Sequence, residues 1–165
     1  MNTTPTVYFD MDRVLCDFAS QAAKYKVLKK NNRINWVKVF LIGSKFWSEM
    51  PYFPGAQEYV LQIINYCKSR NVEVKVLSSV RLTSGHRGKR KWCRKHLPLK
   101  KDDIILVKKA ELKASFAAPS SLLIDDNSEN VQSFISGGGQ GYKFSLWTKE
   151  SYKDILRIID SISTG

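Results

Sequence analysis

Thr6-Val7-Tyr8-Phe9-Asp10-Met11-Asp12-Arg13-Val14-Leu15-Cys16-Asp17-Phe18 is the stretch on which the fold turns. Its first four residues are β-branched or aromatic and predict a buried strand. The strand stops at two aspartates one residue apart. Carboxylates are costly inside a core unless they are paired or bind metal. At the carboxyl end of a strand, however, they stand on the rim where open α/β sheets bind ligands. In an extended chain residues i and i+2 share a face, so Asp10 and Asp12 are placed to act together. One can attack or hold a cation while the other handles a proton. A lone Asp-x-Asp is more often the acidic opening of a solvated loop, so the rest of the chain decides.

Downstream, strand alternates with helix. Ala56, Tyr59, Val60, Ile63, Ile64 and Cys67 recur on one helical face. Val72–Leu77 reads as a second strand ending at Ser78-Ser79, and residues 81–101 as loop and helix with Trp92, Cys93, His96 and Leu97 inward. Asp103–Val107 is a third strand, and Ser121–Asp126 a fourth. A short helix at 128–135 ends at Gly137-Gly138-Gly139, a candidate mobile turn, and Tyr142–Ser145 is a fifth strand. A last helix buries Tyr152, Ile155, Leu156 and Ile159. This alternation predicts an α/β fold, a doubly wound parallel sheet with right-handed crossovers and a Rossmann-type core. Residues 18–51 break the pattern. They carry short apolar and aromatic helical segments closed by Pro51 and Pro54, and they read as a small helical cap inserted after the first strand. The expected division is a core of 1–17 and 52–165, with 18–51 as the cap.

At 165 residues, 43% apolar and 12% aromatic, the chain can bury a sizeable core. Its 27 Lys+Arg against 15 Asp+Glu favour anionic partners. Cys16, Cys67 and Cys93 are odd in number and widely spaced, so they read as free thiols in a reducing compartment. No secretory signal and no membrane-length apolar run is seen, and the expectation is a cytoplasmic protein without a membrane role.

The order Asp10-x-Asp12-x-Val14, then Ser78 after a strand, then a lysine, then Ile124-Asp125-Asp126, resembles the haloacid dehalogenase superfamily of phosphohydrolases. More closely, Phe9–Phe18, Phe46-Trp47-x-Glu49-Met50 with Pro54-Gly55-Ala56, and Leu122–Asp126 resemble the 5'(3')-deoxyribonucleotidase family. The likeness covers roughly residues 6–145. It implies a phosphatase acting on 5'- or 3'-phosphates of (deoxy)nucleoside monophosphates through an aspartyl-phosphate, with Mg²⁺ as cofactor. Asp10 would be nucleophile and metal ligand. Asp12 would be general acid and base, its main-chain carbonyl a ligand. Asp126 would bind the metal directly, and Asp125 through water or as an orienter. Mg²⁺ is hard and takes oxygen donors, which suits these acids.

Ser78, with Ser79 behind it, would hydrogen-bond the phosphate, although a turn serine is an equal reading. Lys113 would hold the phosphate and balance the acids, with Lys109 and then Lys108 as alternatives. Phe18, Phe46 and Trp47 match positions where the family sets aromatics around the base. For Trp36 and Phe40, an aromatic core for the cap is the equal reading. Two departures stand out. Arg13 occupies a position where the family has glycine, implying a different turn or an added cation near the phosphate. Ser78-Ser79-Val80-Arg81 replaces Thr-Ser-Pro, and Arg81 is a candidate substrate contact. The basic run of Arg81, Arg87, Lys89, Arg90, Lys91, Arg94 and Lys95 reads as a solvated helix face. Alternatively, residues 81–101 follow a nucleic-acid backbone. That second reading keeps two rivals open: a phosphatase for nucleic-acid ends, or a non-catalytic nucleic-acid-binding module. His86 and His96 are assigned structural or surface roles.

Overall fold

In the computed structural model, which describes residues 4–164, five parallel strands form one sheet. They are β1 (Thr6–Phe9), β2 (Glu73–Ser79), β3 (Ile104–Val107), β4 (Ser121–Asp125) and β5 (Gln140–Lys143), in the order β3-β2-β1-β4-β5. The chain leaves β1 first toward β2 and later returns to β4 on β1's other side, so the switch point lies between β1 and β4. Register brings the acids together. Phe9 pairs with Ile124, and the Asp10 amide donates to the Ile124 carbonyl at 3.0 Å, so Asp10 and Asp125 leave adjacent strand ends side by side.

Alternation along each strand feeds two separate cores. Val7, Phe9, Val74, Val76, Leu122 and Ile124 face one side, under α4 (Ala56–Ser69), α5 (Thr83–His96) and α7 (Lys149–Ser163). Tyr8, Leu77, Val107 and Leu123 face the other, against Phe134 of α6 (Ser128–Ser136) and Phe116 of a 3₁₀ helix at Ala110–Phe116. The doubly wound, Rossmann-type expectation is met.

Residues 18–51 add no strand to this sheet. They hold α1 (Phe18–Lys24), α2 (Trp36–Ile42) and α3 (Ser44–Ser48), and their ends are tied together below. The Asp17 amide donates to the Pro51 carbonyl at 2.9 Å, and the Phe53 amide to the Leu15 carbonyl at 2.9 Å. Asp17 also caps α1, accepting from the Ser20 amide at 3.0 Å.

The fifth strand departs from expectation. β5 spans Gln140–Lys143 rather than 142–145. The triglycine before it is not a loose turn: Gly137, Gly138 and Gly139 amides all donate back into the end of α6, so the chain re-enters the sheet at once. The first helix of the insertion stops at Lys24, because Lys26 (φ 51°) turns the chain into a short hairpin-like excursion bridged by Leu28 and Ile34.

The insertion is clamped to the core where α3 crosses α5. Gly85 and Gly88 lie on the buried face of α5, and a Cβ at 88 would overlap the Ser44 carbonyl and the Trp47 side chain. Glycine to alanine inside a helix ordinarily gains about 1 kcal/mol. Here Gly88→Ala should instead lose about 1–3 kcal/mol, the cost of overpacking, as read by urea unfolding. A stabilised variant would mean that the two helices are not in tight contact.

Candidate active site

The carboxyl ends of β1, β2 and β4 bring Asp10 and Asp12, Ser78, and Asp125 and Asp126 together, and two lysines from elsewhere tie them. Asp10 follows β1 and is 6% exposed. Asp125 ends β4 and is completely buried. Between them sits the ammonium of Lys113, 2.8 Å from Asp10 Oδ1 and 2.7 Å from Asp125 Oδ2. Lys113 reaches the site from the 3₁₀ helix between β3 and β4, where it is the buried residue. Lys108 and Lys109, by contrast, are exposed. Burial alone would lower the Lys113 pKa, but the two carboxylates outweigh it and the net shift is upward.

Asp125 is further held by the Asn127 amide (2.8 Å) and Asn130 Nδ2 (3.0 Å). Asn127 caps α6, accepting from the Glu129 and Asn130 amides at 2.8 and 3.3 Å. The Asp pair is therefore not consumed as a helix cap. Asp10, Asp125 and Asp126 each offer a carboxylate oxygen, all within 4.8 Å of one another. Three hard oxygen donors in that space fit a divalent cation such as Mg²⁺. Electrostatics point the same way. Burial, then Asp10 and Asp125, push the Asp126 carboxyl up to about 6, despite Arg13 and Lys143. Burial and Asp10 likewise raise Asp125 above its ordinary value. The cluster lacks positive charge.

Arg13 supplies a little of it. Its Nη1 lies 3.9 Å from Asp126 Oδ2, across a mostly exposed contact. Its backbone is left-handed, φ 64°. The turn that a glycine would serve is thus kept, and arginine occupies it at about 1–2 kcal/mol. Arg13 thus keeps the left-handed backbone that glycine permits, and its guanidinium faces Asp126. The turn is pinned by the Arg13 amide to the Cys16 carbonyl (2.8 Å) and by Trp147 Nε1 to the Val14 carbonyl (2.8 Å).

Asp12 points elsewhere. Its Oδ2 accepts from Lys89 Nζ at 2.8 Å, and its Oδ1 is buried with no hydrogen-bond partner among the described residues. Lys89 also donates to Ser78 Oγ (2.9 Å) and to the Ser79 carbonyl (3.2 Å), using all three ammonium protons. Ser78 is fully buried and accepts this bond, so its own O–H is left to donate. Lys89 is 1% exposed, which corrects its place in the solvated basic run. The signal was periodicity: Gly85, Gly88, Lys89, Trp92 and Cys93 fall at i, i+3, i+4, i+7 and i+8, one buried stripe of α5.

The aromatic candidates divide. Phe18, Phe46 and Trp47 form one ring cluster, with centroids 5.1–5.9 Å apart. Phe46 and Trp47 are 0% and 5% exposed. They pack as core because α3 is drawn against the glycines of α5, and Trp47 stacks over Lys89 at 5.2 Å. Half-buried Phe18 retains an accessible edge. Trp36 and Phe40, in contrast, are exposed at 37% and 63%. Ser79 is half-buried, and exposed Arg81 stands 5.8 Å over the Trp36 ring. His96 packs between Tyr52 and Trp92, its pKa lowered by burial and by Lys95. Cys16, Cys67 and Cys93 are buried free thiols. Burial pushes Cys67 and Cys93 up to about 12 and Cys16 well above its ordinary value, so none is a nucleophile.

Comparison with known proteins comes to the same place. The family model described as 5' nucleotidase, deoxy (pyrimidine), cytosolic type C protein matches residues 24–158. Among solved structures, a haloacid dehalogenase-like family hydrolase from Xanthomonas campestris superposes with a TM-score of 0.58 at 14% identity, over 98% of this chain and 94% of that one. A hydrolase from Streptococcus pneumoniae TIGR4 gives 0.54 at 12% identity, over 94% and 100%. No curated protein sequence matches.

The surplus of acids has a measurable consequence. Asp126 titrates at about 6 in the fold and 3.8 ordinarily, so its ionisation opposes folding. That penalty is absent below pH 4, grows through pH 4–6 and is complete above. At about 1.4 kcal/mol per pH unit it amounts to roughly 3 kcal/mol. In chelator, Asp126→Asn should therefore be more stable than the parent at pH 8 by a few kcal/mol, and equal to it near pH 4. A difference independent of pH, measured by urea unfolding, would contradict this charge balance.

Proposed function

Because this chain belongs to the family of cytosolic type C deoxy (pyrimidine) 5'-nucleotidases, we propose that it is a Mg²⁺-dependent phosphatase removing 5'- or 3'-phosphates from (deoxy)nucleoside monophosphates. It is a nucleotidase-type hydrolase of the haloacid dehalogenase fold. The observation that carries the finer reading is the Lys113 ammonium bonded to both Asp10 and Asp125, beside Asp126.

Asp10 is the nucleophile. Lys113 engages only its Oδ1, which leaves Oδ2 to attack phosphorus and form an aspartyl-phosphate. Asp10, Asp125 and Asp126, with the Asp12 main-chain carbonyl, would hold Mg²⁺, whose charge offsets that of the phosphate. Lys113 and the Ser78 hydroxyl hold phosphate oxygens. Asp12, oriented by Lys89, carries the leaving-group proton and then takes a proton from water as the phosphoenzyme is hydrolysed. Lys89 is a positioning residue that ties Asp12 to Ser78.

Residues 18–51 act as the cap, with 1–17 and 52–165 as the core domain. Phe18 is the ring that meets the base, and Phe46 and Trp47 support it from behind. Ser79 and Arg81 flank the entrance as further substrate contacts. The buried free thiols and the family's cytosolic description support a cytoplasmic setting.

A phosphate-release screen over mononucleotides and end-phosphorylated oligonucleotides, with and without Mg²⁺, tests the assignment. Mononucleotides should be turned over only with Mg²⁺, and Asp10→Asn should abolish turnover while leaving the melting transition in place. Faster release from oligonucleotide ends would overturn the substrate while preserving the chemistry. Acid and nucleophile separate through the leaving group. Asp12→Asn should retain partial activity on an aryl phosphate, whose phenolate leaves unaided, and lose about 10²–10⁴-fold on a nucleotide. Equal loss on both would make Asp12 a purely structural residue.

A further inference from the structure

Of the seven cations between Arg81 and Lys95, α5 buries only Lys89. The other cations lie outside the buried stripe of the helix. Arg87, Arg90, Lys91, Arg94 and Lys95, joined by Lys101 from the following turn, line an open concavity of about 460 Å³ with Ile104 at its floor. None of the acids or lysines of the catalytic site lines it.

Three features define what such a trough takes. First, its charge is uncompensated: no carboxylate lines it, and none of the six cations forms an ion pair among the described residues. Elsewhere on the surface, cations such as Lys45, Arg70 and Arg157 do have acidic partners. Clustering like charges costs folding stability, so an anion that spans several of them binds with a gain. Second, the cations are spread along the helix. Arg87, then Arg90 and Lys91, then Arg94 and Lys95 occupy successive turns of about 5.4 Å. A single phosphate would meet two or three of them, whereas a strand carrying one charge per unit meets them all. Third, the trough is concave, no aromatic ring lines it, and its one apolar residue is buried. A flat anionic bilayer finds no apolar anchor there, and bases find no ring to stack on. What remains is phosphate, which the three arginine forks suit bidentately.

We propose that the outer face of α5 is a binding site for a nucleic-acid strand, held by its phosphodiester backbone without base readout. The site is separate from the phosphatase chemistry and does not depend on it. The two readings share one helix: its inner face positions Asp12 through Lys89, and its outer face holds the strand.

The probe is a fluorescently labelled single-stranded 15-mer with hydroxyls at both ends, so that no terminal phosphate engages the catalytic site. Anisotropy titrations of the full chain should show binding that weakens steeply with salt. About six phosphate contacts at about −0.7 each give a log–log slope near −4, an affinity loss on the order of 10²-fold between 50 and 200 mM. The triple variant Arg87→Ala/Lys91→Ala/Arg94→Ala should reduce the slope to near −2 and weaken binding at least tenfold at 50 mM salt. Its melting temperature verifies its fold. On the unaltered chain, the oligonucleotide should protect Lys91, Lys95 and Lys101 from amine acetylation, read by peptide mass spectrometry. The proposal is overturned by the absence of a salt slope, by no protection of these lysines, or by an unaffected triple variant. It is equally overturned if polyglutamate or phosphatidylserine vesicles bind as tightly at equal charge concentration.

Discussion

Everything in this molecule answers to three like charges brought to one point. Parallel pairing of β1 with β4 in the register Phe9–Ile124 leaves Asp10 and Asp125 side by side, and the next residue adds Asp126. Such a cluster would repel itself apart without Lys113, which is 2% exposed and touches two of the three. Breaking a buried pair of this kind typically costs about 3–5 kcal/mol. Lys113 therefore holds the acid cluster together. It satisfies part of the charge and leaves the remainder as a demand for a cation and for the positive face of the site.

Asp12 belongs to a second electrostatic unit, built by α5 rather than by the sheet. Lys89 links it to Ser78 and to the Ser79 carbonyl, so the strand ends of β1 and β2 are connected through a helix that crosses above them. The helix comes close enough because Gly85 and Gly88 admit α3. Through that contact Trp47 covers Lys89 at 5.2 Å. The insertion and Asp12 are thus coupled by packing: a shift of α3 would move Lys89, and with it the Asp12 carboxylate.

The parallel sheet, its alternation with helices and the acids that close its first and fourth strands were legible in the sequence. They obey local rules: apolar runs make strands, and acids closing an apolar run cannot be core. Lys89 was hidden because a charge run is read by its composition, while its periodicity carried the answer in the glycines at i−4 and i−1. Phe46 and Trp47 looked like open binding faces, and Trp36 and Phe40 like core as readily as surface. Which rings are covered depends on how a three-helix insertion settles on α5, a tertiary fact with no local signature. Arg13 shows the opposite case. An arginine there argued for a different turn, yet the backbone is left-handed as glycine would allow, and the side chain brings the guanidinium to Asp126.

The central claim is that Asp10, freed on one oxygen and anchored on the other by Lys113, takes the phosphoryl group. Rapid quench of the enzyme turning over a nucleotide with Mg²⁺, followed by borohydride reduction and peptide mapping, addresses it directly. Reduction of an aspartyl-phosphate converts that residue to homoserine. The account predicts the change at Asp10 alone, and only when nucleotide is present. Conversion at another acid, or full turnover with no residue converted, would contradict it.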